Sequence, residues 1–265
     1  MPTPTRGSPA AGSVAIVTGG TRGLGRAIAE ALLAAGCEVI VLGRTPPETP
    51  VASGGRQASF RACDVRAPEE VSAVVTAIGE AHGRIDIVVN NAGGSPQAAA
   101  STASPRFAQA IVGLNLLGPL YVAQAAHRFM TGKGGVIVNI ASVSAVRPSP
   151  GTAVYGAAKA GLLSLTRSLA QEWGPTIRVN AVVVGLVETE AAEATYGGAE
   201  CRDEIAASLP LGRMGNGADI ADAVLFLCSP QSAYISGAHL SVDGGGERPL
   251  FLDIIARHEV ARSES

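Results

Sequence analysis

The sequence predicts a doubly wound α/β fold, a parallel sheet with helices on both faces. Three observations carry this. Short Val- and Ile-rich runs alternate with longer stretches of helical periodicity. The runs are nearly continuous in apolar residues, as strands buried on both faces are. A glycine-rich turn joins the first run to the first helical stretch.

In chain order, the expected strands are 14–18, 39–42, 85–90, 136–140 and 178–184. The expected helices are 23–35, 68–82, 106–130 and 152–173. Strand–helix units of this kind joined by right-handed crossovers build a Rossmann-type sheet. Two segments break the rhythm. Residues 45–57 contain Pro46, Pro47, Pro50, Gly54 and Gly55. A helix there would lose backbone donors and clash at each internal proline, so the segment reads as a loop. Residues 188–209, ahead of a helix near 218–228, read as an irregular insertion of the kind that forms a lid beside a site. No internal repeat is visible. The expected organisation is a disordered tail over 1–12, one domain over 13–245 with a lid at 188–210, and an extension over 246–265.

Bulk properties narrow the function. The 265 residues are 47% hydrophobic and 16% charged, a globular composition that one α/β core can accommodate. A net charge of −2 supplies no strong field for nucleic acid or an acidic membrane. Cys37, Cys63, Cys201 and Cys228 are widely spaced and lack a CxxC pair. A disulfide framework or metal site is therefore not expected, and a cytoplasmic setting fits. The first twelve residues lack an apolar signal core, and no apolar run of about 18 residues suggests a membrane span.

After the first strand stand Thr18, Gly19, Gly20, Thr21, Arg22, Gly23, Leu24 and Gly25. Small residues let the backbone approach a pyrophosphate, and the helix that follows offers free N–H groups and a favourable dipole. The spacing Gly-x3-Gly-x-Gly differs from the commoner Gly-x-Gly-x2-Gly. A tight turn without a ligand would look the same, so the turn does not decide by itself. An NAD-preferring site carries a carboxylate after the second strand for the ribose 2′-hydroxyl. Here that strand ends in Gly43 and Arg44. Arg44, with Arg22 in the turn, offers a fork of donors suited to a 2′-phosphate, so NADP(H) is expected over NAD(H).

Tyr155 and Lys159 are four residues apart and share a helix face. A phenol of pKa near ~10 is inert as a base at neutral pH. A neighbouring ammonium is expected to favour the phenolate, making Tyr155 a proton donor to a carbonyl oxygen or an acceptor from an alcohol. The spacing is frequent by chance on ordinary amphipathic helices. Ser142 adds weight. It follows the strand 136–140 at the carboxyl edge of the sheet, where its hydroxyl could hold a substrate oxygen.

Together these residues resemble the classical short-chain dehydrogenase/reductase family over about 13–245. Thr18-Gly19-x3-Gly23-x-Gly25 is similar to its cofactor turn, and Asp64-Val65 to its adenine-contacting pair. Asn90-Asn91-Ala92-Gly93 resembles the end of its fourth strand, and Gly185-x3-Thr189 its nicotinamide loop. Asp243-Gly244-Gly245 resembles the end of its last strand. Asn115, Ser142, Tyr155 and Lys159 stand in the order of its catalytic tetrad.

The resemblance implies a seven-stranded parallel sheet in the order 3-2-1-4-5-6-7. It implies cofactor contacts at Gly19, Thr21, Arg22, Gly23, Leu24, Gly25, Arg44, Asp64, Val65, Asn91, Ala92, Gly93, Tyr155, Lys159, Val187 and Thr189. It also implies that Asn115 holds a water linking Lys159 to solvent. Many members pair into homotetramers through the helix bearing the tyrosine. Here that helix carries Ala157, Ala158, Ala160 and Gly161, so a homotetramer or homodimer is expected.

Departures are Val184 where the family has proline, the proline-rich loop in place of the helix after the second strand, and the extension with Phe251, Leu252, Ile254 and Ile255. The extension reads as docking on a neighbouring subunit or over a substrate pocket. The expected reaction is hydride transfer between NADP(H) and a small carbonyl or alcohol substrate. A non-catalytic NADP(H) sensor on the same fold would keep the turn without needing the tetrad. An epimerase or dehydratase would call for a separate substrate domain. The substrate pocket is expected near 94–97, 143–150 and 188–209. Arg147, Arg202 and Arg213 are available there to offset Glu188, Glu190 and Glu193.

Overall fold

The structure is a computed structural model and describes residues 9–94, 96–132, 134–252, 254, 255 and 258. Seven parallel strands form the sheet, in the order β5-β2-β1-β6-β7-β8-β9. They are β1 (Val14–Thr18), β2 (Glu38–Gly43), β5 (Ser59–Ala62), β6 (Ile87–Asn90), β7 (Gly135–Ser142), β8 (Ile177–Val184) and β9 (His239–Val242). Strands β3 (Ala52–Ser53) and β4 (Arg56–Gln57) make a separate two-stranded hairpin. Counting only the sheet strands, the order is the expected 3-2-1-4-5-6-7. The helices are α1 (Gly23–Ala34), α2 (Pro68–His82), α3 (Pro105–Val112), α4 (Gly118–Met130), α5 (Ala153–Glu172), α6 (Ala192–Tyr196), α7 (Ala199–Ser208) and α8 (Gly217–Cys228).

Period-two geometry divides the core into two layers. From β1, Ala15 and Val17 point to one layer with Ile28 and Leu32 of α1 and Ile220 and Val224 of α8. Val14 and Ile16 point to the other, with Val71 and Val75 of α2 and Val122 and Ala126 of α4. Ile16, Ile28, Leu32 and Ile220 are fully buried. Truncating one of them to alanine would cost ~2–5 kcal/mol. This rigid sandwich fixes the carboxyl edge of the sheet, where β1, β6, β7 and β8 end side by side.

Five strands match the sequence expectation to within two residues at each end, β7 running one residue earlier and two later, to Gly135 and Ser142. The other two, β5 and β9, are the sheet edges. β5 has no buried residue and β9 only partly buried or exposed ones, so neither writes an apolar run. The prolines do exclude a helix at 45–57, and the hairpin occupies the end of that stretch. Arg26 of α1 fastens it through bonds to Thr49 O and Pro50 O of 3.1 and 2.9 Å.

Two expectations need correction. The lid is helical, α6 and α7, because 191–208 lacks proline and its only glycines, Gly197 and Gly198, fall between the two helices. The tail reading falls on residues 1–8, which lie outside the described residues, and on 9–12, where Pro9 is buried and Gly12 N donates to Gly36 O at 2.9 Å while residues 10–12 are exposed. Among the described residues one helix, 105–130, is long and apolar enough by composition to cross a membrane. It packs instead in the second core layer through Val122, Ala123, Ala126 and Met130.

Candidate active site

The site begins at the end of β1. Thr18 Oγ1 accepts from Asn91 N and Ala92 N at 3.0 and 2.9 Å, tying the turn to the segment that follows β6. Gly25 lets α1 close onto the turn, since a Cβ there would lie 2.2 Å from Gly19 O and 2.4 Å from Asn91 Nδ2. Gly23, at φ +54°, opens α1 in a conformation that L side chains avoid. Arg22 at the N-cap supplies no side-chain cap, and the first turn of α1 holds no acidic residue. The result is a close-packed backbone cradle whose uncapped N–H donors suit a pyrophosphate. Glu190 of the lid reaches across to it, with Oε1 3.4 Å from Gly23 N.

Arg22 and Arg44 are both exposed beside this cradle, Arg44 at the tip of β2. Asp64 is chelated by Arg66 through bonds of 2.5 to 3.1 Å, and Val65 beside it is buried. The Arg66 hydrogen bond, with weaker help from the Arg44 charge, holds the Asp64 carboxyl below its usual range.

Two members of the expected tetrad, Asn115 and Lys159, meet at Gly93. A Cβ on that residue would lie 2.8 Å from Asn115 Oδ1 and 3.1 Å from Lys159 Nζ. Asn115 sits in a π-helical turn, Gly113–Leu117, that joins α3 to α4. Such a turn frees a backbone carbonyl and is frequent at functional sites. Its Nδ2 donates to Ile111 O and Gly94 O at 3.0 and 2.9 Å, and its Oδ1 accepts from Gly94 N at 2.9 Å. The expected single helix over 106–130 is therefore continuous, with a bulge at the asparagine.

Lys159 is buried, and its Nζ donates to Ile140 O at 2.7 Å. Burial pushes the Lys159 ammonium down to about 8. Nζ stands 5.8 Å from the centre of the Tyr155 ring. The expected depression of the Tyr155 phenol is not found. Burial pushes its pKa up, a hydrogen bond with Ser142 pulls it partly back, and the neighbouring Tyr196 pushes it up again. Lys159 is aimed at the strand carbonyl instead of the phenol. Ser142 Oγ also accepts from Ser144 N at 3.2 Å, which orients the hydroxyl.

Val184, the departure from the family's proline noted in the sequence, is buried and extends β8 by pairing with Val242. Gly185 N then donates to Val242 O at 3.0 Å. Val187 bridges to Gly215, and Thr189 Oγ1 accepts from Ala191 N at 3.3 Å. An apolar wall of Ala98, Ala100, Ala103, Phe107 and Val154 adjoins Tyr155.

Several site residues carried no sequence signal. Tyr196 lies alone in a polar stretch, yet α6 sets it beside Tyr155, with its phenol hydrogen-bonded to the Val187 backbone. A buried chain runs from Asn90 Nδ2 to Asn139 Oδ1, and from Asn139 Nδ2 to Thr166 Oγ1, each 2.9 Å. It locks β6, β7 and α5 together beneath the tetrad. Of the small residues on α5, Ala158 is buried and Gly161 faces Leu116 within the chain, while Ala157 and Ala160 are exposed.

A seven-stranded doubly wound sheet with a phosphate-suited turn and this Ser–Tyr–Lys–Asn cluster at its carboxyl edge defines a nicotinamide-dependent oxidoreductase. Comparison with known proteins agrees. A family profile described as Enoyl-(Acyl carrier protein) reductase matches residues 19–247. The 3-oxoacyl-[acyl-carrier-protein] reductase FabG of Chlamydia trachomatis is 38% identical over 240 residues, 87% of this chain and 96% of that protein. Carbonyl reductase family member 4 of Danio rerio is 39% identical over 236 residues, 88% of this chain and 97% of that protein. The solved aldohexose dehydrogenase of Thermoplasma acidophilum superposes with a TM-score of 0.83 at 32% identity, covering 89% and 94% of the two chains. The chain belongs to the short-chain dehydrogenase/reductase family.

Proposed function

We propose that this oxidoreductase is an NADP(H)-dependent carbonyl reductase with Tyr155 as its acid/base. The observation that carries the reading is a connected cluster: Asn115 and Lys159 meet at Gly93, Lys159 Nζ stands 5.8 Å from the Tyr155 ring centre, and Tyr155 is hydrogen-bonded to Ser142. The cradle of Gly19, Thr21, Gly23, Leu24 and Gly25 would hold the pyrophosphate. Asp64, Val65, Asn91, Ala92 and Gly93 would border the adenosine and nicotinamide halves, and Val187 and Thr189 the carboxamide.

The bound nicotinamide supplies or accepts the hydride. The remaining work falls to the chain. Ser142 holds the substrate oxygen and stabilises charge developing there. Tyr155 gives its proton to that oxygen in reduction and takes it back in oxidation. A phenol with a raised pKa is a reluctant base at neutral pH, so Ser142 and a charged Lys159 must stabilise the phenolate as it forms. Lys159, poised near pH 8, can pass a proton onward, and Asn115 holds the backbone around it.

Arg44 and Arg22 support a 2′-phosphate, and no carboxylate ends β2. The named activities of the FabG and carbonyl reductase relatives support a ketone or an acyl thioester as substrate. Exposed Ala157 and Ala160 on α5 support pairing with a second copy into a dimer or tetramer. Incubation with NADPH or NADH and a panel of ketones, followed by loss of reduced-cofactor absorbance, tests the reading. Arg44→Asp is expected to reverse the cofactor preference, and unchanged selectivity would remove that part of it.

A further inference from the structure

Three arginines lie in or beside the segments expected to line the substrate pocket, and each is engaged by a carboxylate. Arg202 lies 3.4 Å from Glu188, and Arg213 grips Asp219 through two bonds of 2.7 Å. Those two pairs are local to the lid and its base. Arg147 differs, because its partner is 100 residues away in the segment after β9. Arg147 Nε lies 2.5 Å from Glu247 Oε2, and Nη2 donates to Glu247 Oε1 at 3.0 Å. This is the two-pronged geometry in which a guanidinium holds any carboxylate.

The placement of the pair matters. Arg147 lies in the loop that leaves Ser142, pinned by the Ser149 to Ser144 hydroxyl bond of 3.1 Å. Glu247 follows Gly244, Gly245 and Gly246, all at positive φ, a backbone path that other residues rarely take. That segment leans on the lid. Leu211 N donates to Gly244 O at 3.3 Å, and a Cβ on Gly245 would lie 2.9 Å from the Pro210 ring. A cavity of about 360 Å³ remains between Ala207–Pro210 and Gly245–Pro249. The segment thus spans from the lid to the substrate loop. The loop that carries Arg147 packs on α5 next to Tyr155, where a Cβ on Gly156 would lie 2.9 Å from Ser144 O and 3.3 Å from Ser149, and the charges of Arg147 and Glu247 both reach Tyr196, the neighbour of Tyr155.

We propose that Arg147 is a specificity-determining residue of the cleft and that Glu247 sets what it selects. Paired, the two present a neutral mouth that admits uncharged carbonyl compounds. Without Glu247, Arg147 takes the carboxylate of an oxo acid in the same fork. The inference rests on the carbonyl-reductase reading and deepens it by naming the substrate class.

Ethyl acetoacetate and acetoacetate carry the same ketone, one neutral and one anionic, and serve as probes. Wild type, Glu247→Gln and the double variant Glu247→Gln/Arg147→Met are compared, with thermal melting to confirm that each is folded. Two readouts are taken: kcat/KM with NADPH, and calorimetric affinity for the enzyme with oxidised cofactor. Glu247→Gln is expected to improve acetoacetate at least about fivefold relative to the ester, the scale of a partly exposed charge pair. The double variant is expected to lose that gain. No gain in Glu247→Gln, or a gain that survives removal of Arg147, overturns the proposal. If no ketone is reduced by any form, the reductase reading fails, while the affinities still decide the role of the pair.

Discussion

Gly93→Ala probes the site at its narrowest point. The added methyl would stand 2.8 Å from Asn115 Oδ1 and 3.1 Å from Lys159 Nζ, and neither group can retreat freely. Asn115 is held by three hydrogen bonds to Ile111 and Gly94, and Lys159 by a 2.7 Å bond to Ile140 O in a fully packed setting. Relief requires both side chains to move by several tenths of an ångström. Overpacking of this kind costs ~1–3 kcal/mol, which in a chain of this size lowers Tm by roughly 2–10 °C. The catalytic effect should be larger than the stability effect suggests, because displacements of about 1 Å in a positioned site cost up to ~10²-fold in rate. Single-turnover reduction of a ketone by the NADPH complex is expected to slow by about 10- to 100-fold. A variant of wild-type rate would show that the Asn115–Gly93–Lys159 contact does not set the proton path.

Other perturbations have equally definite outcomes. Lys159 is depressed from 10.5 to about 8, so the unfolded chain binds more protons between those values and stability rises with pH across that window. Below about pH 8 the buried ammonium is a cost of order 3 kcal/mol, partly offset by its bond to Ile140 O. Lys159→Met should therefore abolish turnover yet raise Tm at pH 7, with the gain shrinking toward pH 10; a lower Tm at pH 7 would contradict this. Glu190 places a carboxylate at the N-terminus of α1, where a pyrophosphate would be repelled by it. Glu190→Gln should tighten NADPH binding by about two- to fivefold, measured by fluorescence titration, and weaker binding would refute the competition.

The sequence made the buried parts of this molecule legible and the exposed parts obscure. β1, β2, β6, β7 and β8 are covered on both faces and wrote Val–Ile runs; β5 and β9, at the edges, wrote none. The tetrad was readable because Tyr155 and Lys159 lie on one helix and Ser142 ends a strand. Its electrostatics were not. Helical spacing brought Lys159 onto the face of Tyr155 but could not show that Ile140 O would claim its ammonium, or that burial would raise the phenol. Tyr196, Glu190 and Glu247 come to the site through the lid and the segment after β9. Those contacts, 41, 167 and 100 residues from the groups they meet, leave no periodic trace.

In the proposed mechanism the Tyr155 hydroxyl is the group that exchanges a proton with the substrate oxygen. Tyr155→Phe removes that oxygen and keeps the ring against its apolar wall. Single-turnover NADPH oxidation by this variant, on a ketone that the wild type reduces, tests the claim most directly. The rate is expected to fall by ~10²–10⁴-fold with cofactor affinity little changed. A rate within a few-fold of wild type would contradict it.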